Sequence, residues 1–143
     1  CVYSQTAHVT GHGEQVEVLR PFPHYWAVVA KPKISVSTPT ILRQINYEKL
    51  QHLDVDSLVD CIQNGRWQES FAYMGNVLEP VTMNEYPEIR QLKQRMEKLG
   101  ADVVQMSGTG PTVFALCHNE SRARRLHNSL CGFCREVYLA MLL

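Results

Sequence analysis

Residues 103–116 have the sequence VVQMSGTGPTVFAL, in which two short apolar runs flank a segment rich in glycine. The apolar runs predict two β-strands, and the glycines and proline between them predict a loop. Glycine permits positive φ angles and leaves no side chain between the backbone and a ligand. Successive backbone N–H groups in such a loop can bind an anion. Residues 107–112 therefore predict either a phosphate-binding loop or an ordinary hairpin turn.

This loop differs from the two common nucleotide-binding loops. No lysine follows its glycines, as it would in a P-loop. A strand follows it, whereas a helix follows the glycines of a dinucleotide-binding fingerprint. The six residues alone do not decide between a ligand loop and a turn.

The composition is that of a single globular domain. The chain has 143 residues, of which 45% are hydrophobic and 20% are charged. Its 14 basic residues balance 14 acidic ones and form no cluster, which argues against a nucleic-acid partner. No apolar run approaches the roughly 20 residues that span a bilayer, so no membrane association is expected.

Five cysteines are present, at positions 1, 61, 117, 131 and 134. An odd number of cysteines among helix-like and strand-like residues indicates free thiols in a reducing cytoplasm. Cys131 and Cys134 form a CxxC motif, but a zinc site would need two more ligands and no second such pair exists. A redox CxxC normally opens a helix, whereas this one closes a helix. We interpret both cysteines as small apolar side chains packed around a turn, and we expect no metal site.

The periodicity of the remaining chain predicts a mixture of strands and helices. A hairpin with its turn at residues 11–13 is followed by a strand over residues 25–30 and an extended segment over residues 32–40. Helices are predicted over residues 54–63, over residues 67–78 with Pro80 as the stop, and from Pro87 to Gly100. Asn119 is expected to cap a further helix. The apolar run 137–143 predicts a central strand that is covered on both faces.

This order of elements favours an α+β fold. The strands and helices from residue 25 onward suggest a ferredoxin-like sandwich, a mainly antiparallel sheet with helices on one face.

Several segments together resemble one known family. Residues 86–116, YPEIRQLKQRMEKLGADVVQMSGTGPTVFAL, resemble the C-terminal domain of the GHMP kinases, the superfamily of galactokinase, homoserine kinase, mevalonate kinase and phosphomevalonate kinase. SGTGPT is similar to the third motif of that superfamily. Four further segments agree in order along the chain, namely GHGE (11–14), AKPK followed by VST (30–38), NVLE (76–79) and EVY (136–138).

The resemblance implies an activity. It is strongest to the branch that transfers phosphate from ATP, with Mg²⁺ in the full enzyme, to the 2-hydroxyl of 4-diphosphocytidyl-2-C-methyl-D-erythritol, a step of non-mevalonate isoprenoid biosynthesis. Two alternatives remain open. The chain could belong to another GHMP kinase, such as one acting on a mevalonate derivative, or it could be a non-catalytic ferredoxin-like binding module.

The resemblance also implies that half of the enzyme lies outside this chain. The catalytic Lys and Asp of the family and its main ATP loop would precede Cys1, so no catalytic residue is expected here. Residues 1–24 would be a β-hairpin remnant of the N-terminal kinase domain, and residues 25–143 would be the C-terminal domain. We expect the isolated chain to be inactive, because phosphoryl transfer needs those missing groups. The missing lobe would leave apolar surface uncovered, so a homodimer is also possible.

The resemblance implies two groups of ligand-contacting residues. Ser107, Gly108, Thr109, Gly110 and Pro111 would form a loop on the phosphate side of ATP. Thr38 and Pro39 would form part of the wall around the cytidine of the small-molecule substrate. In several family members an aromatic residue follows shortly after and stacks on the cytosine, and here the matching position is Leu42. Asn76 and Glu79 are expected to brace a helix against the sheet.

Overall fold

A computed structural model describes residues 5–142 of the chain. The expectations that fall on residues 1–4, including the thiol of Cys1, and on residue 143 lie outside the described residues. Within residues 5–142, six strands and six α-helices follow one another in the order β1 (Ala7–Thr10), β2 (Gln15–Val18), β3 (Trp26–Lys31), α1 (Thr38–Arg43), α2 (Val55–Gln63), α3 (Trp67–Ser70), α4 (Glu79–Glu85), α5 (Pro87–Lys98), β4 (Val103–Met106), β5 (Val113–Cys117), α6 (Glu120–Leu130) and β6 (Glu136–Met141). A single 3₁₀ turn, Tyr47–Lys49, lies between α1 and α2.

The main sheet has four antiparallel strands in the order β4-β5-β3-β6. This order, with a helix before β4 and another before β6, is the ferredoxin-like arrangement that the sequence predicts. Strands β1 and β2 pair with each other in a separate two-stranded sheet, which confirms the predicted hairpin.

The core lies between one face of the sheet and the two longest helices. Leu92 and Met96 of α5 and Leu126 and Leu130 of α6 are completely buried against this face. The strands contribute alternate residues, such as Val28 of β3, because successive side chains in a strand point to opposite faces. The helices therefore cover one face, as expected.

The opposite face carries a smaller aromatic cluster. Tyr25 and Leu116 are buried there beneath Phe22, Phe71 and Met74. The rings of Tyr25 and Phe71 meet edge to face at a centroid distance of 5.6 Å, a favoured geometry for aromatic pairs. This cluster covers only part of the second face.

Two helix ends follow directly from the sequence. Asn119 caps α6, since its side chain accepts a hydrogen bond from the backbone N–H of Arg122 at 3.2 Å. Gly100 follows α5 with a φ of 88°, a left-handed conformation that favours glycine. Both ends are where the sequence predicts them.

Three sequence-based expectations are wrong. Residues 67–78 do not form one helix, because the helix ends at Ser70 and Pro80 lies in the first turn of the next helix. Residues 32–40 are not all extended, since α1 begins at Thr38. The last strand is not central. Strand β6 pairs only with β3 among the described strands, and Tyr138 and Met141 are 58% and 45% exposed.

No helix among residues 5–142 is long and apolar enough to cross a bilayer.

Replacement of Leu92 by Ala is expected to lower the free energy of unfolding by about 2–5 kcal/mol, because the cavity forms at a completely buried site between α5 and the sheet. Leu42→Ala is the matched control, since Leu42 is 43% exposed and its loss should cost less than about 1 kcal/mol. Chemical denaturation measures both values. Equal losses for the two variants would contradict this account of the core.

Candidate functional site

The glycine-rich segment forms a tight loop between two paired strands. Met106 at the end of β4 lies opposite Val113 at the start of β5. The N–H of Ser107 donates to the carbonyl of Thr112 at 2.9 Å, and the N–H of Gly110 donates to the carbonyl of Ser107 at 2.9 Å. The strand, loop and strand predicted from the sequence are confirmed.

The two glycines of the loop differ in the space that a side chain would have at their positions. Gly110 has a φ of 80°, and a Cβ there would lie 2.9 Å from Sδ of Met106 and 3.3 Å from Cδ1 of Ile89. Gly108 has a φ of 56°, but a Cβ there would have no atom within 4 Å. Packing therefore requires Gly110, whereas Gly108 faces open space.

Asn76 holds the loop through its side-chain amide. Its Nδ2 donates to the carbonyls of Met106 at 2.9 Å and of Gly108 at 2.7 Å. Its Oδ1 accepts from the backbone N–H of Leu78 at 3.0 Å. The same side chain thus fixes the loop and the entry to α4.

Glu79 fixes the strand end from which the loop starts. Its Oε2 accepts from the backbone N–H of Met106 at 2.9 Å, and its Oε1 forms an ion pair with Nζ of Lys93 on α5. The side chains of Lys93 and Glu79 are only 18% and 12% exposed. A buried carboxylate is tolerated when it is both hydrogen-bonded and paired with a cation, as here.

Two threonines hold the tip of the loop. The hydroxyl of Thr82 on α4 donates to the carbonyl of Thr109 at 3.2 Å. The hydroxyls of Thr38 and Thr109 lie 2.8 Å apart in a direct hydrogen bond. The structure thus brings together the two predicted groups of site residues, and Pro39 is the exposed residue next to Thr38 in the first turn of α1.

Two backbone donors of the loop remain available. Within residues 5–142, the N–H groups of Gly108 and Thr109 donate to no protein acceptor. They lie beside the exposed hydroxyl of Ser107 and the hydroxyl of Thr38. Adjacent N–H groups and hydroxyls in a loop of fixed shape can bind the oxygens of an anion such as a phosphate.

An open cleft of about 520 Å³ runs beside the loop. Asn76 and Gly108 line its polar end, and Leu53, Met74 and Phe114 line its apolar part. The loop is therefore accessible from a concave surface.

Sequence reasoning missed two residues that hold the site. Thr82 and Lys93 were not expected there. Lys93 lies four residues after Ile89 and three before Met96, both buried, and this spacing places it at the edge of the apolar face of α5. That spacing is a signal for a partly buried cation. For Thr82 the sequence carries no comparable signal.

The cysteines differ in their surroundings. Cys61, Cys117 and Cys134 are buried, as expected for small apolar side chains, and burial raises the pKa of the Cys117 and Cys134 thiols. Cys131 is exposed, so its interpretation as a packed side chain is wrong. The turn places it outside the helix–sheet interface. Among the described residues, no group of three or more His, Cys, Asp or Glu side chains could hold a metal ion.

Comparison with protein families gives a match to the GHMP kinase C-terminal domain over residues 58–136. The chain is 71% identical over its whole length to the 4-diphosphocytidyl-2-C-methyl-D-erythritol kinase of Limosilactobacillus fermentum and covers 50% of that protein. The chain therefore spans about half the length of the curated relatives it matches.

Solved structures of similar fold agree with this match. A crystal structure of 4-(cytidine 5'-diphospho)-2C-methyl-D-erythritol kinase superposes with a TM-score of 0.77 and 27% identity, over 98% of this chain and 50% of the other. A homoserine kinase from Cytophaga hutchinsonii superposes with the same TM-score of 0.77 at 20% identity, over 99% of this chain and 50% of the other. The second likeness concerns the fold alone.

Replacement of Glu79 by Ala is expected to lower the free energy of unfolding by about 3–5 kcal/mol, because it leaves the partly buried Lys93 ammonium without its counter-charge. It also removes the acceptor of the Met106 N–H. Chemical denaturation measures the loss.

The matched control is Glu120→Ala, which breaks the exposed ion pair of 2.7 Å between Glu120 and Arg124. Its cost should stay below about 1 kcal/mol. If Glu79→Ala were no more destabilising than this control, Glu79 would not hold the strand end.

Proposed function

Because this chain belongs to the GHMP kinase C-terminal family, we propose that it forms the substrate-side lobe of an ATP-dependent kinase. The kinase phosphorylates the 2-hydroxyl of 4-diphosphocytidyl-2-C-methyl-D-erythritol in non-mevalonate isoprenoid biosynthesis. The relative at 71% identity carries the name of that kinase. The observation that carries the proposal is the braced glycine loop, in which the N–H groups of Gly108 and Thr109 have no protein acceptor among the described residues.

The loop contributes by positioning phosphates. Phosphoryl transfer depends on the placement of the phosphoryl group and on neutralisation of its charge. Residues 107–111 offer backbone donors. The side chains of Asn76, Thr82 and Glu79 hold the loop in its shape through hydrogen bonds to the backbone of residues 108, 109 and 106. ATP, accompanied by Mg²⁺, supplies the phosphoryl group, and this loop binds and orients the phosphates beside the main ATP loop of the other half of the enzyme.

Thr38 and Pro39 are the proposed substrate side of the site. The hydrogen bond between Thr38 and Thr109 supports this assignment, because it places the first turn of α1 against the phosphate loop. Leu42 lies one helical turn after Thr38 and is 43% exposed. It would therefore offer the cytosine an apolar contact in place of an aromatic ring.

The proposed domain boundary lies between residues 24 and 25. The hairpin of β1 and β2 pairs only with itself in the described chain. Its Val9, Val16 and Val18 are 45%, 58% and 57% exposed. This uncovered apolar surface supports the assignment of residues 1–24 to the N-terminal kinase domain, which would cover it.

We assign the kinase to the cytoplasm. Cys61, Cys117 and Cys134 are free thiols in the structure, and free thiols suit a reducing compartment.

The full-length enzyme is expected to phosphorylate 4-diphosphocytidyl-2-C-methyl-D-erythritol with ATP, and to leave mevalonate and homoserine unchanged. Gly108→Ala is expected to lower kcat/KM roughly 10- to 100-fold, because a methyl group at this open position displaces the phosphates. A coupled assay of ADP release measures both. Phosphorylation of mevalonate instead would assign the chain to another GHMP kinase.

Gly13→Ala is the matched control for this variant. Gly13 also has a positive φ, of 104°, and open space where a Cβ would lie, but it is in the hairpin. Both variants strain the backbone by roughly 1 kcal/mol or more. A loss of activity confined to Gly108→Ala supports the proposal, and equal losses contradict it.

The 143-residue chain alone is expected to show no ATP-dependent phosphorylation, because the catalytic Lys and Asp of the family have no match in it. We also expect it to form dimers or larger species through its uncovered apolar surface. The kinase assay and light scattering of the purified chain measure these two properties. Turnover by the chain alone would contradict the division of the enzyme into lobes.

A further inference from the structure

We propose that Cys131 and Cys134 form a reversible disulfide when a peroxide oxidises Cys131. The CGFC turn at residues 131–134 would then be a redox modification site. This inference does not depend on the proposed function, because none of these residues belongs to the phosphate loop.

The two cysteines have the exposures of an attacking and a resolving thiol. Cys131 lies at the C-terminal cap of α6 and is exposed, whereas Cys134 is only 4% exposed, against the core. Cys61 and Cys117, the other cysteines of the described chain, are 2% and 0% exposed. A peroxide in solution therefore meets Cys131 first, since oxidation follows thiol accessibility and thiolate character.

A histidine adjoins the exposed thiol. His127, one helical turn earlier on α6, has its Nδ1 and Nε2 at 3.7 and 3.8 Å from Sγ of Cys131. Nδ1 of the same ring lies 3.2 Å from Oδ1 of Asn128. Because the sulfur is almost equidistant from the two ring nitrogens, it lies against the imidazole ring and not on the lone-pair axis of either nitrogen.

The backbone brings the two sulfur atoms to the same side. Cys131 has helical angles, with φ −56° and ψ −31°, and the N–H of Cys134 donates to the carbonyl of Leu130 at 2.9 Å as in an α-helix. Residues three apart in a helical turn have Cβ atoms about 5–6 Å apart. A disulfide needs about 3.8 Å, so the turn must tighten by about 2 Å. Gly132 lies between the cysteines, and a Cβ there would have no atom within 4 Å. Because Cys134 is packed against the core, the exposed Cys131 makes this movement.

The chemistry proceeds in two balanced steps. The Cys131 sulfur attacks a peroxide oxygen, an S–O bond forms and the O–O bond breaks. The sulfur loses two electrons, and the leaving oxygen takes the proton of the Cys131 thiol. The Cys134 sulfur then attacks the sulfur of the Cys131 sulfenic acid. The S–S bond forms, the S–O bond breaks, and hydroxide leaves with the Cys134 proton as water. A dithiol reductant reverses the product by exchange.

The test uses the folded full-length protein that carries this chain, treated with hydrogen peroxide, alkylated and digested with trypsin. Both cysteines fall in one tryptic peptide, residues 126–135, with the sequence LHNSLCGFCR. After oxidation this peptide is expected to carry no alkyl group and to weigh about 2 Da less than the unalkylated dithiol peptide, and dithiothreitol before alkylation should restore the doubly alkylated form. Circular dichroism before digestion establishes that the fold persists.

Variants separate the roles of the two cysteines. Cys134→Ser is expected to accumulate a sulfenic acid at Cys131, which dimedone labels, and Cys131→Ser should abolish oxidation of the peptide. Cys61→Ser is the control for a buried cysteine outside the turn and should leave the mass loss unchanged.

Three results would overturn the proposal. In the first, the peptide remains reduced in the folded protein. In the second, Cys131 accumulates sulfinic acid without a disulfide in the wild-type protein. In the third, Cys134 is oxidised at an unchanged rate in Cys131→Ser.

Discussion

The buried carboxylate of Glu79 is the constraint on which the candidate site depends. Strand β4 is at one edge of the main sheet, so no other described strand lies beside the outward N–H and C=O groups of its last residue, Met106. Glu79 accepts from that N–H, and Asn76 donates to that C=O. Lys93 balances the charge of Glu79. The two polar side chains thus stand where another strand would be, and they set the residue at which the strand ends and the loop begins.

The contacts that hold Met106 also determine the shape of the glycine loop. Once Met106 is fixed, Asn76 and Thr82 hold the carbonyls of Gly108 and Thr109, while the N–H groups of the same two residues have no acceptor among residues 5–142. These contacts already order the loop in the folded protein. Binding of an anion there would therefore cost little further conformational entropy of the loop. A loop with the same glycines but without these contacts would be an ordinary hairpin turn, the alternative that the six residues alone leave open.

Local chemistry explains why some elements were predictable and others were not. The end of α5 is encoded by Gly100 and the start of α6 by Asn119, each within a few residues of the boundary it sets. The helix expected over residues 67–78 ends at Ser70, and Asn76 instead bonds to backbone carbonyls 30 and 32 positions later, a type of partner that no local pattern reports. The apolar run of β6 cannot distinguish an edge strand from a central one, since that depends on which strands pair. The family resemblance points to the glycine loop and to Thr38 as ligand-contacting residues, which stays a prediction, and the structure places Thr38 against Thr109. The resemblance gives no sign of Thr82, which acts through a backbone carbonyl distant in sequence.

The two edge strands of the main sheet have different surroundings, and the edge that side chains hold is the one next to the glycine loop. At the β4 edge, side chains bond to the outward backbone groups of Met106, and Gln105 adds a hydrogen bond of 3.2 Å from its Nε2 to the carbonyl of Met74. At the β6 edge, Tyr138 and Met141 remain exposed. A one-residue slip in a strand turns every side chain to the opposite face and would displace any loop that the strand carries. Side chains from outside the sheet therefore fix the register of β4, the strand that leads into the glycine loop. Among the described strands, β3 alone sets the register of β6.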